Sequence, residues 1–283
     1  VQRLAELQAR VQSLGELGDV VSALRAVSAA RIQQAQAVLA SIREYTAIIH
    51  DSVGEASRML GELAGAAEAP ARPRVVIAFG SEHGFVGSFN QRVLEVAARE
   101  GEPGGELLIV GSRAGRVALD RCVPVSWSGQ MASQVGGVDD VALRVAERLS
   151  LDGGQRLGQR VSLVYTRLTE GSPAEIVTQD LLPFDPRPYQ TSRPDRPRAV
   201  SYLGPRALLD GLIDELLLAQ LAHAATESFA SENAARLAAM QAAADNLAGK
   251  LEELRRQERE LRQEEITMEL LDVVTGARVV TGG

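Results

Sequence analysis

Lysine is nearly missing from this chain. Lys250 is the only one, so arginine supplies the remaining cationic side chains. With a net charge of -7 and an isoelectric point near 5.2, there is no basic footprint of the kind that holds nucleic acid. Cysteine is as scarce: Cys122 stands alone, which excludes a disulfide within the chain and gives no sign of the disulfide-rich export class. Long apolar runs are missing too. No stretch approaches about twenty apolar residues without a charge, and the amino-terminal segment reads as an amphipathic helix with no signal-peptide core. The expectation is a soluble protein, free to sit on a membrane complex. The most informative absence is that of proline at the ends. All eleven prolines lie between Pro70 and Pro205, which leaves two long flanking stretches with no breaker but glycine.

The second stretch reads as one helix. Gly204 and Pro205 suit its N-cap and first turn, because proline has no N–H to waste there and its φ is already helical. Leu237, Met240, Ala244, Leu247, Leu251, Leu254, Glu258, Leu261, Glu265 and Met268 follow at alternating spacings of three and four, which is the seam of a coiled coil. At 1.5 Å per residue such a helix runs to about 110 Å, far more than a globular domain needs, so it must lie against something else. The first stretch offers the other half. Leu4, Leu7, Val11, Leu14, Gly18 and Val21 repeat the spacing, and Val38, Ile42, Ile49 and Val53 continue an apolar stripe. Small residues at Ser28, Ala29 and Ala30, and at Ala234, Ala235, Ala238 and Ala239, permit close approach of two antiparallel axes.

Between the helices the pattern changes. Residues 65–73, rich in Ala, Gly, Glu and Pro, read as a connection. Val75 to Phe79 is a short apolar run ending at Gly80, typical of a buried parallel strand. Ser88–Arg99, Ser112–Leu119 and Val138–Leu149 read as helices, and Leu107–Val110 and Val161–Thr166 as strands. Alternating strands and helices predict a Rossmann-like α/β layer domain with right-handed crossovers. From Pro183 to Pro205 six prolines space an extended return segment. The predicted organisation is α/β plus long α: residues 1–69 as an amino-terminal shaft helix, 70–204 as the inserted α/β domain with its return segment, and 205–283 as a carboxy-terminal shaft helix.

The most enzyme-like feature is the run of Gly80, Gly84 and Gly87 after the first strand. A glycine-rich turn can aim backbone N–H groups at a phosphate, and Ser81 or His83 could then do chemistry. The spacing fits neither G-x-G-x-x-G nor G-x-x-x-x-G-K-[ST], no lysine is near, and no acidic residue follows Leu107–Gly111 to hold a ribose. A structural turn is the favoured reading. His50, His83 and His223 lie on different elements and, with one cysteine, make no ligand set at metal spacing. Ser112 has no His–Asp pairing visible in sequence. No catalytic, cofactor or metal residue is therefore expected.

The remaining motifs resemble a known family. Phe229-Ala230-Ser231-Glu232-Asn233-Ala234-Ala235-Arg236-Leu237-Ala238-Ala239-Met240, followed by Ala244-Asp245-Asn246, is similar to the Ala-Ser-Glu-x-Ala-Ala-Arg-Met-x-Ala-Met…Thr-Asp-Asn signature of the γ subunit of F-type ATP synthase. Arg262-Gln263-Glu264-Glu265-Ile266-Thr267-Met268-Glu269-Leu270 and Val274-Thr275-Gly276-Ala277 resemble its Arg-Gln-x-x-Ile-Thr-x-Glu…Val-x-Gly-Ala terminus. Ala23 to Arg31, with Ala35-Gln36, resembles its Ala-Met-x-Met-Val-Ser-Ala-Ala-Lys…Ala-Gln segment. The likeness is weaker from Ser81 to Asn90.

What the resemblance implies is a rotor shaft: an antiparallel coiled coil inside the α3β3 head, with the α/β domain at its foot beside the ε subunit and the membrane c-ring. The chain would then be a non-catalytic subunit of an H+-transporting two-sector ATPase, without cofactor. It would sit as a peripheral protein on the cytoplasmic face of a bacterial inner membrane. The resemblance marks five partner contacts. Leu24 stands where the family has a methionine near a β-subunit loop, and Arg236 matches an arginine of a polar catch with β. Met268 and Leu271 replace the glutamine and threonine of the companion catch, and Tyr202 lies in the Ser201–Gly204 segment that borders the c-ring. These departures fit a divergent form, including one from an alternative ion-pumping F-type enzyme. An α/β nucleotide enzyme with helical arms and a coiled-coil scaffold are the readings from other classes. If Leu24 sits opposite Arg236, paired residue numbers sum to roughly 260 along the rod and Val11 faces Gly249. The chain beyond Leu261 would then overhang, with Ile266, Met268, Leu270, Leu271, Val273 and Val274 around a single helix.

Overall fold

The computed structural model describes residues 2–60, 73–150, 159–169, 174–183 and 202–281. All but Pro73 of the expected connection at 65–73, and most of the proline-spaced return segment, lie outside these residues. The elements run α1 (Gln2–Leu60), β1 (Arg74–Phe79), α2 (Phe89–Glu100), β2 (Glu106–Val110), α3 (Ser112–Asp120), β3 (Trp127–Gly129), a 3-10 turn (Val135–Gly137), α4 (Val138–Ser150), β4 (Arg160–Arg167), β5 (Glu175–Leu182) and α5 (Pro205–Thr281). The chain divides into two compact units, residues 28–236 and residues 1–27 with 237–283.

In the larger unit a five-stranded sheet has the order β3-β2-β1-β4-β5. β1 pairs in parallel with β2 and β4, β2 pairs in parallel with β3, and β5 runs antiparallel to β4. Alternate side chains of a strand point to opposite faces. Ile77, Phe79, Leu108, Val110, Leu163 and Tyr165 therefore pack on one side with Ala35 of α1, Val141 and Val145 of α4, and Leu221, Ala225 and Phe229 of α5. On the other side, Val76, Ala78 and Val164 pack with Phe89, Val93 and Ala97 of α2, while Ile109 meets Leu94 of α2 and Ala114 and Ala118 of α3.

Two strands are additions to the sequence reading. β3 is three residues, Trp-Ser-Gly, too short to show a period. β5 buries only Leu181 and Leu182, as expected of an edge strand with polar residues along its length. Its antiparallel run breaks the predicted strand–helix alternation and makes the sheet mixed.

Gly111 ends β2 with φ +124°, and a Cβ there would lie 2.6 Å from the Ser81 carbonyl oxygen. Both the conformation and the backbone contact require glycine. Gly111→Ala is expected to cost about 2–4 kcal/mol, whereas Gly84→Ala, where a Cβ meets nothing within 4 Å, stays near the parent in thermal unfolding.

In the smaller unit the expected stripes are the less exposed positions. Leu4, Leu7, Val11, Leu14, Gly18 and Val21 of α1, and the seam positions of α5 from Leu237 to Glu265, are buried or half-buried. Met268, the last position of that seam, is exposed. Gln8 Nε2 donates to Glu258 Oε1 at 3.2 Å, and Arg10 and Leu14 line a surface cavity with Lys250 and Leu254. The expected register placed Glu252 beside Gln8 and Asn246 beside Leu14, so the pairing is displaced by about one and a half turns. Val11 lies at the level of Leu254, and a Cβ added at Gly249 meets nothing within 4 Å. One anchor fixes register only at constant relative rise; here the buried Leu7 and Leu254 and the half-buried Leu261 set it.

Candidate functional site

The glycine-rich turn lies at the carboxyl ends of the parallel strands, where the α/β fold leaves its loops for function. It is held from several sides. The Ser81 N–H donates to Asn90 Oδ1 at 2.9 Å, Asn90 Nδ2 donates to Ser81 Oγ at 2.8 Å, and Ser81 Oγ donates to the His83 carbonyl at 2.9 Å. Phe85 and Gly87 take φ of +61° and +56°, which folds the turn tightly and leaves the Phe85 ring exposed.

Two carboxylates occupy the positions a ligand would need. Glu82 accepts from the Ser112 N–H (3.0 Å) and hydroxyl (2.7 Å) at the start of α3, and from the Met131 N–H (2.7 Å). Glu232 of α5 accepts from the Glu82 N–H (3.0 Å), the His83 N–H (3.2 Å) and Arg236 Nη2 (2.6 Å). The same guanidinium donates through Nε to the Gly84 carbonyl (3.1 Å) and through Nη1 to Asn233 Oδ1 (3.2 Å). The N–H groups of Glu82 and His83 that could meet a phosphate are thus taken by the chain itself, which supports the structural reading of the turn. One signal for this is legible in the sequence, Glu232 and Arg236 at i and i+4 on one helix face, but nothing there points to residue 82 as their partner.

Burial raises the Glu82 pKa, yet the hydrogen bonds from Ser112 and Met131 and the neighbouring His83 outweigh it and hold the carboxyl below its ordinary value. A depressed carboxylate adds stability above its unfolded value, near pH 4.3, and loses that contribution as pH falls through the folded value. The fall in melting temperature on acidification is therefore expected to be shallower for Glu82→Gln than for the parent.

The histidines separate. His83 sits in the turn. His50 and His223, on α1 and α5, line one open cavity of about 270 Å³ with Arg43, Thr46, Ala47, Gln179 and Gln220. Burial lowers the pKa of both, and Glu227, 3.6 Å from His223 Nε2, also pairs with Arg43 at 3.2 Å. Among the described residues no group of three or more His, Cys, Asp or Glu side chains is placed to hold a metal.

The five expected contact residues do not form one site. Leu24 is half-buried on α1. Arg236 is 5% exposed, inside the network above. Met268 and Leu271 are exposed near the end of α5, with Ile266 and Leu270 exposed beside them, and Tyr202 is fully exposed just before α5. Val273 and Val274 have side chains outside the description. No described helix is long and apolar enough to cross a membrane.

The family model described as ATP synthase matches residues 3–280. Similar curated proteins include the ATP synthase gamma chain of Rubrobacter xylanophilus, 30% identical with 99% of each chain covered. That of Rhodospirillum rubrum is 27% identical, covering 98% of this chain and 99% of the relative. Among solved structures, a chain of the Euglena gracilis mitochondrial ATP synthase OSCP/F1/c-ring assembly superposes with TM-score 0.66 at 15% identity, covering 100% of this chain and 96% of that one. A chain of the Tetrahymena thermophila mitochondrial ATP synthase central stalk and c-ring gives TM-score 0.58 at 21% identity, covering 79% and 99%.

Proposed function

The chain belongs to the ATP synthase gamma chain family, and we propose that it turns as the central shaft of a membrane F1Fo enzyme, carrying rotation between an ion-driven c-ring and an α3β3 catalytic head. In this reading it performs no catalysis itself; its rotation changes the catalytic β subunits in turn and so couples ion translocation to ATP synthesis or hydrolysis. The observation that carries the reading is α5, a helix of 77 residues whose outer portion pairs with the start of α1 and then continues with exposed Ile266, Met268, Leu270 and Leu271. Apolar side chains around a helix are unfavourable in water and call for a partner.

Residues 1–69 and 205–283 then form an antiparallel coiled-coil shaft, and 70–204 the foot that meets the ε subunit and the c-ring. Leu24, Met268 and Leu271 meet the head, Tyr202 borders the c-ring, and Arg236 joins the head contact as part of the turn that it anchors. The complex sits on the cytoplasmic face of a bacterial inner membrane, with this chain peripheral to it. Replacement of a polar catch by Met268 and Leu271 favours a second reading in which the enzyme is an alternative ion-pumping F-type ATPase. Co-expression with α, β, ε and the membrane sector tests the role. Co-purification and ATP-driven ion pumping that depends on this chain are expected; a complex that assembles and pumps equally without it would refute it.

A further inference from the structure

The winding of the parallel strands reverses between β1 and β4: the chain leaves β1 towards β2 on one side and takes up β4 on the other. In open α/β sheets the crevice outside the strand ends at such a point is where ligands bind, because the strand-to-helix turn presents N–H groups there. In this chain α5 lies in the crevice. Ser228 Oγ donates to the Phe79 carbonyl at the end of β1 (3.2 Å), and the Thr166 N–H of β4 donates to Ser228 Oγ (3.3 Å). Ser231 Oγ donates to the Thr166 carbonyl (2.9 Å), and the Leu168 N–H donates to Glu227 (3.4 Å).

Glu232 completes the set. Two successive backbone N–H groups of the turn and a guanidinium converge on its carboxylate at 3.0, 3.2 and 2.6 Å, and the residue is 2% exposed. Paired N–H groups with a buried arginine are the donors a small oxyanion requires. We propose that this crevice is an oxyanion-binding site occupied in cis by Glu232, so that the α/β domain holds α5 as it would hold a ligand. Emptied of that carboxylate, the site takes a small free carboxylate ion, and acetate is the group that Glu232→Ala removes.

Thermal unfolding of the full chain in sodium acetate, against sodium chloride at equal ionic strength and pH 7, tests this. A ligand that binds only the folded state raises its melting temperature by mass action, here by about 3 °C for the Ala variant at ten times the dissociation constant. The parent and Glu232→Gln, whose side chains fill the space, are expected to be unmoved by acetate, and adding Arg236→Gln to the Ala variant removes its response. If Glu232→Ala does not fold in chloride, recovery of its helical circular dichroism in acetate carries the same result. An Ala variant that is indifferent to acetate, one that stays unfolded in both salts, or an equal rise in Glu232→Gln overturns the proposal.

Discussion

Leu271→Asp is expected to reduce ATP-driven ion pumping by the assembled enzyme at least tenfold while leaving the unfolding of the isolated chain unchanged. Leu271 is 60% exposed, as are its neighbours Met268 and Leu270 to a similar degree, so the isolated chain loses little packing when the side chain is changed. In the complex the position is proposed to meet the head, which would cover the apolar side chain. Losing a buried leucine there costs about 1.5–3 kcal/mol, and a carboxylate in its place adds a desolvation cost. Each 1.4 kcal/mol is a factor of ten in an equilibrium. Unchanged pumping with a lowered melting temperature would mean that the end of α5 packs on its own chain, and the overhang would have to be abandoned.

Arg236→Ala acts inside the folded chain instead. Arg236 and Glu232 are both nearly fully buried, and the substitution leaves the Glu232 carboxylate without its cation and the Gly84 carbonyl without a donor. Breaking a buried ion pair by removing one partner costs about 3–5 kcal/mol, which lowers the melting temperature of a chain this size by about 10 °C. Replacing both residues with neutral ones of similar volume, Arg236→Met with Glu232→Gln, is expected to cost less than the single change, because no buried charge is left over and the amide oxygen still accepts from the Glu82 and His83 N–H groups. Equal losses in the single and double variants would show that the hydrogen bond to the Gly84 carbonyl, lost in both, and not the stranded charge, holds the turn.

The helical half of the architecture was legible because its signals are repetitive. Proline confined to the middle, and leucine, valine and alanine at three-four spacing, marked α1 and α5 and the positions that are buried or half-buried. β1, β2 and β4 were legible as β-branched or apolar runs closed by glycine or turn residues. β5 was not, since an edge strand keeps polar side chains and shows no burial period until Leu181. The register of the smaller unit differs from the expected one by about one and a half turns because it is set by side chains far from the one pair that anchored the expectation. The filled crevice was out of reach for a different reason: the partners of Glu232 are backbone N–H groups 149 and 150 positions away, and backbone donors leave no mark in a sequence.

Cys122 is the only cysteine in the chain and it is exposed, which offers a single handle on the proposed foot. In a complex whose other subunits lack reactive cysteines, with the α3β3 head fixed to a surface, a bead attached through Cys122 reports directly whether this chain turns. Unidirectional rotation driven by ATP, with three dwells in each revolution, is the expected result. ATP hydrolysis by the same complexes with a bead that only fluctuates about one angle would contradict the account.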